Sequence, residues 1–300
     1  MQRKNNIDTL GAGVLIVCCL LMGLNNPLIK LVNEGIAPAL QSGLRSAFAL
    51  VPLLAYLLIT RKRLSISDGS LGPGIFAGLL FAIEFLLLFS ALDYTTVSRA
   101  SVFFYTMPLW VAVGAHFLIS GERLTRVRFS GLVVAIGGVA LAFSQSNTSA
   151  SEHALLGDLM CMLAAMFWAG IPLVTRTTRL SNALPEMQLV YQLAVSAVLL
   201  TAVAPLFGDL VRDLTPAIAG IFVFQSFVVV AFGFSLWFWT LSVYPASDMA
   251  SFSFLTPLIA VFFGWVIFDD QITATFLVAL ALVGIGIVLV TRKTRAESRV

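Results

Sequence analysis

One hydrophobic pattern occurs twice in this chain at a fixed separation. From Ala91 the sequence reads ALDYTTVSRASVFFYTMPLWVAVGAHFLISGERLT, and from Thr240 it reads TLSVYPASDMASFSFLTPLIAVFFGWVIFDDQIT. At one constant offset Ser98 meets Ser247, Pro108 meets Pro257 and Gly137 meets Gly286, while Thr125 and Thr273 miss that register by a single residue. Two unrelated apolar stretches have no reason to share proline and glycine positions in this way, so the pattern reads as an internal duplication. The chain must then fold as two similar halves.

Composition says what kind of halves these are. With 59% hydrophobic and 11% charged residues and a mean hydropathy of +0.97, the chain far exceeds the apolar content of soluble domains. It reads as an all-α integral membrane protein. Spans of roughly 20 apolar residues fall at 9–32, 38–60, 71–92, 97–119 and 127–143, then at 155–175, 184–206, 216–242, 248–268 and 273–291. That is ten transmembrane helices, five in each half. The expected organisation is a first repeat over 1–143, a polar linker free of Lys and Arg over 144–154, and a second repeat with a basic tail over 155–300.

The cations set an orientation. Ten spans put both termini on one side, together with Arg3, Lys4, Arg61, Lys62, Arg63, Arg123, Arg126, Arg128, Arg176, Arg179, Arg292, Lys293, Arg295 and Arg299, which is 14 of the 18 Lys and Arg. By the positive-inside rule this side is cytoplasmic. Because five is odd, the second half enters the membrane from the opposite side to the first. The repeats are therefore expected to be inverted about an axis in the membrane plane, the organisation of many secondary transporters, whose two bundles rock about a shared midplane site.

Other classes find little support. The first apolar run is long enough to span and lacks a cleavage site of small residues, so it is expected to be a retained helix and not a signal peptide. The net charge of +3 comes from the cytoplasmic edge and its basic tail, and nothing points to nucleic acid. Cys18, Cys19 and Cys161 lie inside spans and behave as small hydrophobes. His116 and His153 have no nucleophile beside them. There is no phosphate loop and no paired His or Cys spacing, so no enzyme, metal or cofactor is expected.

The stretch ALDYTTVSRASVFFYTMPLW with GERLT, and its partner TLSVYPASDMASFSFLTPLI with GIGIVLV, resemble the two repeats of the EamA family in the drug/metabolite transporter superfamily. The resemblance covers nearly the whole chain. It implies helices one to four and six to nine around a central path, with helices five and ten at the periphery. It also implies a bacterial inner-membrane exporter of amino acids or related small metabolites, whose partners are that substrate and the bilayer. The second copy departs from the pattern where Asp270 and Gln271 replace Gly121 and Glu122.

Polar groups inside spans are costly and mark candidate sites. Here they are Asn25, Asn26 and Lys30 on helix one, Gln41 and Arg45 on helix two, Glu84 on helix three, Gln188 and Gln192 on helix seven, and Gln225 on helix eight. Glu84 has apolar neighbours on every side, so it must be protonated, paired or facing water. Either it forms a structural ion pair with Arg45 or Lys30, or these groups face a cavity and engage a charged substrate or proton. In the second case Glu84 accepts from a substrate ammonium, while Lys30, Arg45 or the Asn25 and Asn26 amides hold the carboxylate. Phe81, Tyr105, Trp168 and Tyr191 are candidate aromatic walls. Pro27 and Pro172 in the first helix of each half, and Pro108 and Pro257 in the fourth, each remove a backbone donor and are candidate hinges or tolerated kinks. Gly131, Gly137, Gly138, Gly284 and Gly286 suggest close packing of helices five and ten. Two further readings stay open: a proton-coupled exporter of hydrophobic cations, and a receptor or scaffold that does not transport.

The charge asymmetry has a direct test. In a background lacking cysteine, single cysteines at Ser149 and Asp209 are expected to react with an impermeant external reagent on whole cells, and one at Ser65 to react only after permeabilisation. Equal labelling at all three positions would contradict the orientation.

Overall fold

The protein is described by a computed structural model covering residues 8–61, 68–120, 122–144, 153–233, 236, 239–240, 243–244 and 255–291. Ser247, most of the linker and many of the terminal cations used above lie outside the described residues. Among the described residues the architecture is helical, with no strand beyond one antiparallel bridge between Ile36 and Val211. In order come α1 (Thr9–Asn33), α2 (Pro38–Ile59), α3 (Leu71–Tyr94), α4 (Val97–Phe104), α5 (Met107–Leu118), α6 (Arg126–Ser144) and α7 (Ala154–Thr177). After these follow α8 (Pro185–Val203), α9 (Pro216–Phe224), α10 (Leu255–Phe268) and α11 (Ala274–Thr291).

Among the described residues, 8 helices are long and apolar enough to cross a bilayer, α4 and α5 counting together as Val97–Leu118; Pro216–Phe232 and Leu255–Phe268 are shorter apolar helices. Lipid offers no water to backbone N–H and C=O groups, so each spanning segment must satisfy them within itself, and the helix is the open-ended way to do so. Large apolar side chains point outward in number: Leu58, Ile59, Phe117 and Val198 are all more than 70% exposed. On a soluble domain that surface would aggregate. Here it is the lipid face.

The helix interruptions follow from chemistry that the sequence displays. Proline opens α2, α8 and α9 near their first turns, where its missing N–H costs nothing. The fourth span breaks at Tyr105 and Thr106 because Pro108 cannot donate into the preceding turn. Thr106 Oγ1 donates to Phe103 O at 2.6 Å there, and Trp110 Nε1 donates to Thr106 Oγ1 at 3.2 Å. By contrast α1 runs unbroken through Pro27 and α7 through Pro172. After α9 the chain continues as a π-helix over Gln225–Phe232.

Packing joins elements from both halves of the sequence. Helix α6 packs along α11, α3 along α7 and α8, α2 along α8, α1 along α10, and α4 along α10 and α7. Glycine permits the closest of these approaches. A Cβ on Gly286 would lie 2.5 Å from Ala135 Cβ and 2.6 Å from Gly131 O, and one on Gly138 would lie 2.8 Å from Ala279 O. Gly137 corrects the expectation of close packing: a Cβ there would meet no other part of the structure within 4 Å. Its sequence counterpart Gly286 is buried against a helix backbone, whereas Gly137 faces outward.

This difference predicts opposite outcomes for the two glycines. Gly286→Val should overpack the α6–α11 contact and cost about 1–3 kcal/mol, and Gly137→Val should be close to neutral. Thermal melts of the purified variants in one detergent would check this, and equal losses would contradict it.

Candidate functional site

The turns at one end of the bundle are tied by polar contacts between distant parts of the chain. Arg99 on α4 and Asp158 on α7 form a buried ion pair, their side chains 4% and 0% exposed. Arg99 Nε also donates to Asp158 Oδ1 at 3.2 Å, and Thr95 Oγ1 donates to the same oxygen at 2.7 Å. Lys30 Nζ donates to Thr95 O at 2.7 Å and lies 5.6 Å from the Phe268 ring centroid. Asp270 Oδ2 accepts from Ser98 N at 2.8 Å, while Thr96 Oγ1 accepts from Arg99 N at 3.2 Å. The first turn of α4 is thus capped twice, once by its own N-cap and once by the opposite half of the chain. Gly264 leaves room for this, since a Cβ there would meet Asp270 Oδ2 at 2.6 Å.

The same end is closed further by a segment following α8. Arg212 Nη2 donates to Asp93 Oδ2 at 2.7 Å and its Nη1 to Asn33 O at 2.9 Å. Asn33 Nδ2 in turn donates to Phe89 O and Asp93 Oδ1, both at 2.8 Å. Backbone bonds from Arg212 N to Gly35 O and from Ala37 N to Leu210 O complete the seam.

The opposite half of the bundle contains a cavity. The space, including the open solvent at its mouth, is about 820 Å³ and lies between α2, α3, α8 and the π-helical turn. Its walls are Ala49, Pro52, Leu53, Phe81, Phe85, Leu189, Leu193, Val230 and Ala231, with Arg45 and Ser46 on the inner wall. Tyr56 and Glu186 lie toward the C-terminal end of α2 and the N-terminal end of α8, which places the mouth away from the Arg99–Asp158 pair. Arg45 is 4% exposed. Its Nη1 donates to Asn25 Oδ1 at 2.9 Å, and its guanidinium carbon lies 4.8 Å and 5.0 Å from the ring centroids of Phe85 and Phe89. Phe81 packs against Phe85 with the rings tilted by 42° and their centroids 4.1 Å apart.

The candidate residues divide accordingly. Arg45 and Phe81 line the cavity, and Asn25 holds Arg45. Glu84 is 1% exposed and is not part of the cavity wall; its Oε2 has no hydrogen-bond partner, and no ion pair joins it to Arg45. Asn26 Nδ2 donates to Ser101 Oγ at 3.3 Å, and Lys30 belongs to the tied end. Gln188 Nε2 donates to Leu180 O and Ala183 O, both at 3.1 Å, where it braces the turn before α8. Tyr191 is buried against Gly74, with its hydroxyl 3.1 Å from Ser70 Oγ. Tyr105 and Pro257 border a second, small apolar crevice beside α11. Trp168 and Gln192 are half-buried, outside the main cavity. Pro27 and Pro172 lie inside continuous helices, and Pro108 opens α5.

Asp158, Asp270 and Pro52 are not among the candidate site residues that the sequence marks. A signal existed for the first: Asp158 and Arg99 are opposite charges within drawn spans. Asp270 was visible as a departure from the repeat, and its cap on α4 supplies a structural role for it. Pro52 has no counterpart among the paired prolines, so the repeat does not mark it.

The EamA-like transporter family matches residues 9–144 and again residues 155–292. The chain belongs to the EamA-like transporter family. It is 29% identical to the uncharacterized transporter YoaV of Bacillus subtilis, over 92% of this chain and 95% of that protein. It is 26% identical to a probable amino-acid metabolite efflux pump of Escherichia coli, over 96% of this chain and 94% of that protein. A crystal structure sharing 17% sequence identity superposes with a TM-score of 0.64 over 97% of this chain and 99% of the other, a likeness of fold.

The ion pair makes a stability prediction. Asp158→Ala should strand the Arg99 guanidinium and cost about 3–5 kcal/mol, whereas Arg99→Met combined with Asp158→Leu should recover most of that loss. Unfolding of the purified single and double variants would check this. A single variant as stable as the parent would show that the pair contributes little.

Proposed function

We propose that this protein is a ten-helix secondary transporter built of two inverted repeats, exporting amino acids or related small metabolites across the bacterial inner membrane by alternating access. The observation that carries this reading is the asymmetry of the bundle: an apolar cavity with one cation lies open at one end beside the Arg176–Glu122 and Ser70–Tyr191 contacts, and the opposite end is closed by a buried polar seam between the halves. A path closed on one side and open on the other is what one state of an alternating-access cycle requires.

The packing supports the repeat. Exchanging the halves turns the α3–α7 contact into α9–α1, α3–α8 into the π-turn against α2, and α1–α10 into α7 against α4 and α5; α2–α8, α4–α10 and α6–α11 map onto themselves. Each of these contacts exists, as a pseudo-two-fold axis demands. With the termini cytoplasmic, the cavity opens inward and the Arg99–Asp158 seam seals the outer side, the state in which an exporter loads. Kinship with a protein named as a probable amino-acid metabolite efflux pump supports the substrate class. A hydrophobic cation is a poorer fit, because Arg45 on the inner wall would repel it.

Counterflow in proteoliposomes tests the proposal. Vesicles preloaded with unlabelled L-leucine should transiently accumulate labelled L-leucine, and Leu53→Trp, which fills the cavity, should abolish accumulation while leaving the melt nearly unchanged. Ligand-induced stabilisation without any flux would replace the transporter with a binding protein.

A further inference from the structure

We propose that Arg45 is the carboxylate receptor of the cavity, and that its ligands are monocarboxylates with an apolar side chain, for which an amino group is dispensable. The inference rests on the reading of this cavity as the substrate site, and it sharpens the substrate class. A guanidinium carries five N–H donors in a planar fork that matches a carboxylate. In Arg45 Nη1 donates to Asn25, Nε is buried without a partner, and the carboxylate of Glu84, near enough to act on it electrostatically, makes no ion pair with it. The rings of Phe85 and Phe89 hold the plane in place by cation–π contact, a stabilisation that strengthens when water is excluded. A buried cation with unused donors is costly, and a ligand carboxylate removes that cost on entering.

The remaining walls fix the rest of the ligand. Phe81, Pro52, Leu53, Leu189 and Leu193 offer only apolar surface. Ser46 donates its hydroxyl to Ser42 O at 3.0 Å and leaves its oxygen as a neutral acceptor only, with no charge to set against an ammonium. Glu84, the acceptor expected for an ammonium, is not on the cavity wall, and the acid that is, Glu186, stands toward the mouth. An ammonium beside an Arg45-bound carboxylate therefore gains no carboxylate partner from the inner wall and contributes little to binding.

Three probes of one skeleton separate these contributions: L-leucine, its deaminated analogue 4-methylpentanoate and its decarboxylated analogue 3-methylbutylamine. Titrated calorimetrically into the wild-type protein in lipid nanodiscs, the two carboxylates should bind comparably. The amine should bind about ten- to a hundredfold more weakly, the worth of a hydrogen bond to a charged group. Arg45→Gln should weaken both carboxylates to the level of the amine, with Arg45→Lys in between. Amine binding as tight as that of the carboxylates, no binding by any probe, or unchanged carboxylate binding in folded Arg45→Gln would each overturn the proposal. The wild-type comparison decides even where a variant does not fold. Carboxylate binding without counterflow would remove the transporter and keep the receptor site, whereas flux insensitive to Arg45→Gln would do the reverse.

Discussion

The buried ion pair between Arg99 and Asp158 is the interaction on which the shape of the bundle depends. Removing two charges from water costs several kcal/mol for each ion, and only good geometry with further hydrogen bonds offsets it. Here the Thr95 hydroxyl donates to the carboxylate, and the Thr95 carbonyl accepts from Lys30. The pair also joins α4 of the first half to α7 of the second. With Asp270 capping α4 and Arg212 bridging Asn33 and Asp93, one end of the bundle becomes a continuous polar seam. The halves are held together there, and the space between α2 and α8 opens at the other end.

Irregular backbone gathers around that space. Pro52 interrupts the hydrogen bonding of α2 on the cavity wall, and Val230 and Ala231 belong to a π-helical turn, a feature common at functional sites. Where that turn begins, Gln225 and Gln41, both fully buried, are linked at 3.3 Å. Within a membrane such departures persist only where protein or an aqueous cavity surrounds them. Regular close packing is found instead where α6 lies on α11, with Gly131, Gly138 and Gly286 bringing the backbones together. The irregular cavity wall and the close-packed α6–α11 contact are thus built from different residue types.

The sequence by itself determined the class of structure. Long apolar segments admit few solutions in lipid other than helices, and proline positions announced the break at Tyr105 and Thr106 because a missing donor is a local property. The repeat pointed to the family, and the family matches each half in turn. The sequence also singled out Arg45, Glu84 and Phe81, since polar and aromatic residues stand out within apolar spans.

Only the tertiary structure decided what those residues do. Whether a buried charge is tied, stacked or left facing a cavity depends on partners far away in the chain. Arg99 meets Asp158 at a separation of 59 residues, Ser98 meets Asp270 at 172, and Arg212 meets Asn33 at 179. Glu84 and Arg45 are both candidates from the sequence, yet packing puts Arg45 on the cavity wall against Phe85 and leaves Glu84 off it. Gly137 and Gly286 occupy matching repeat positions, but only one of them meets a neighbouring helix. Periodicity and composition are local and survive reading along the chain, whereas the side of a helix that meets a cavity is set by how distant helices pack.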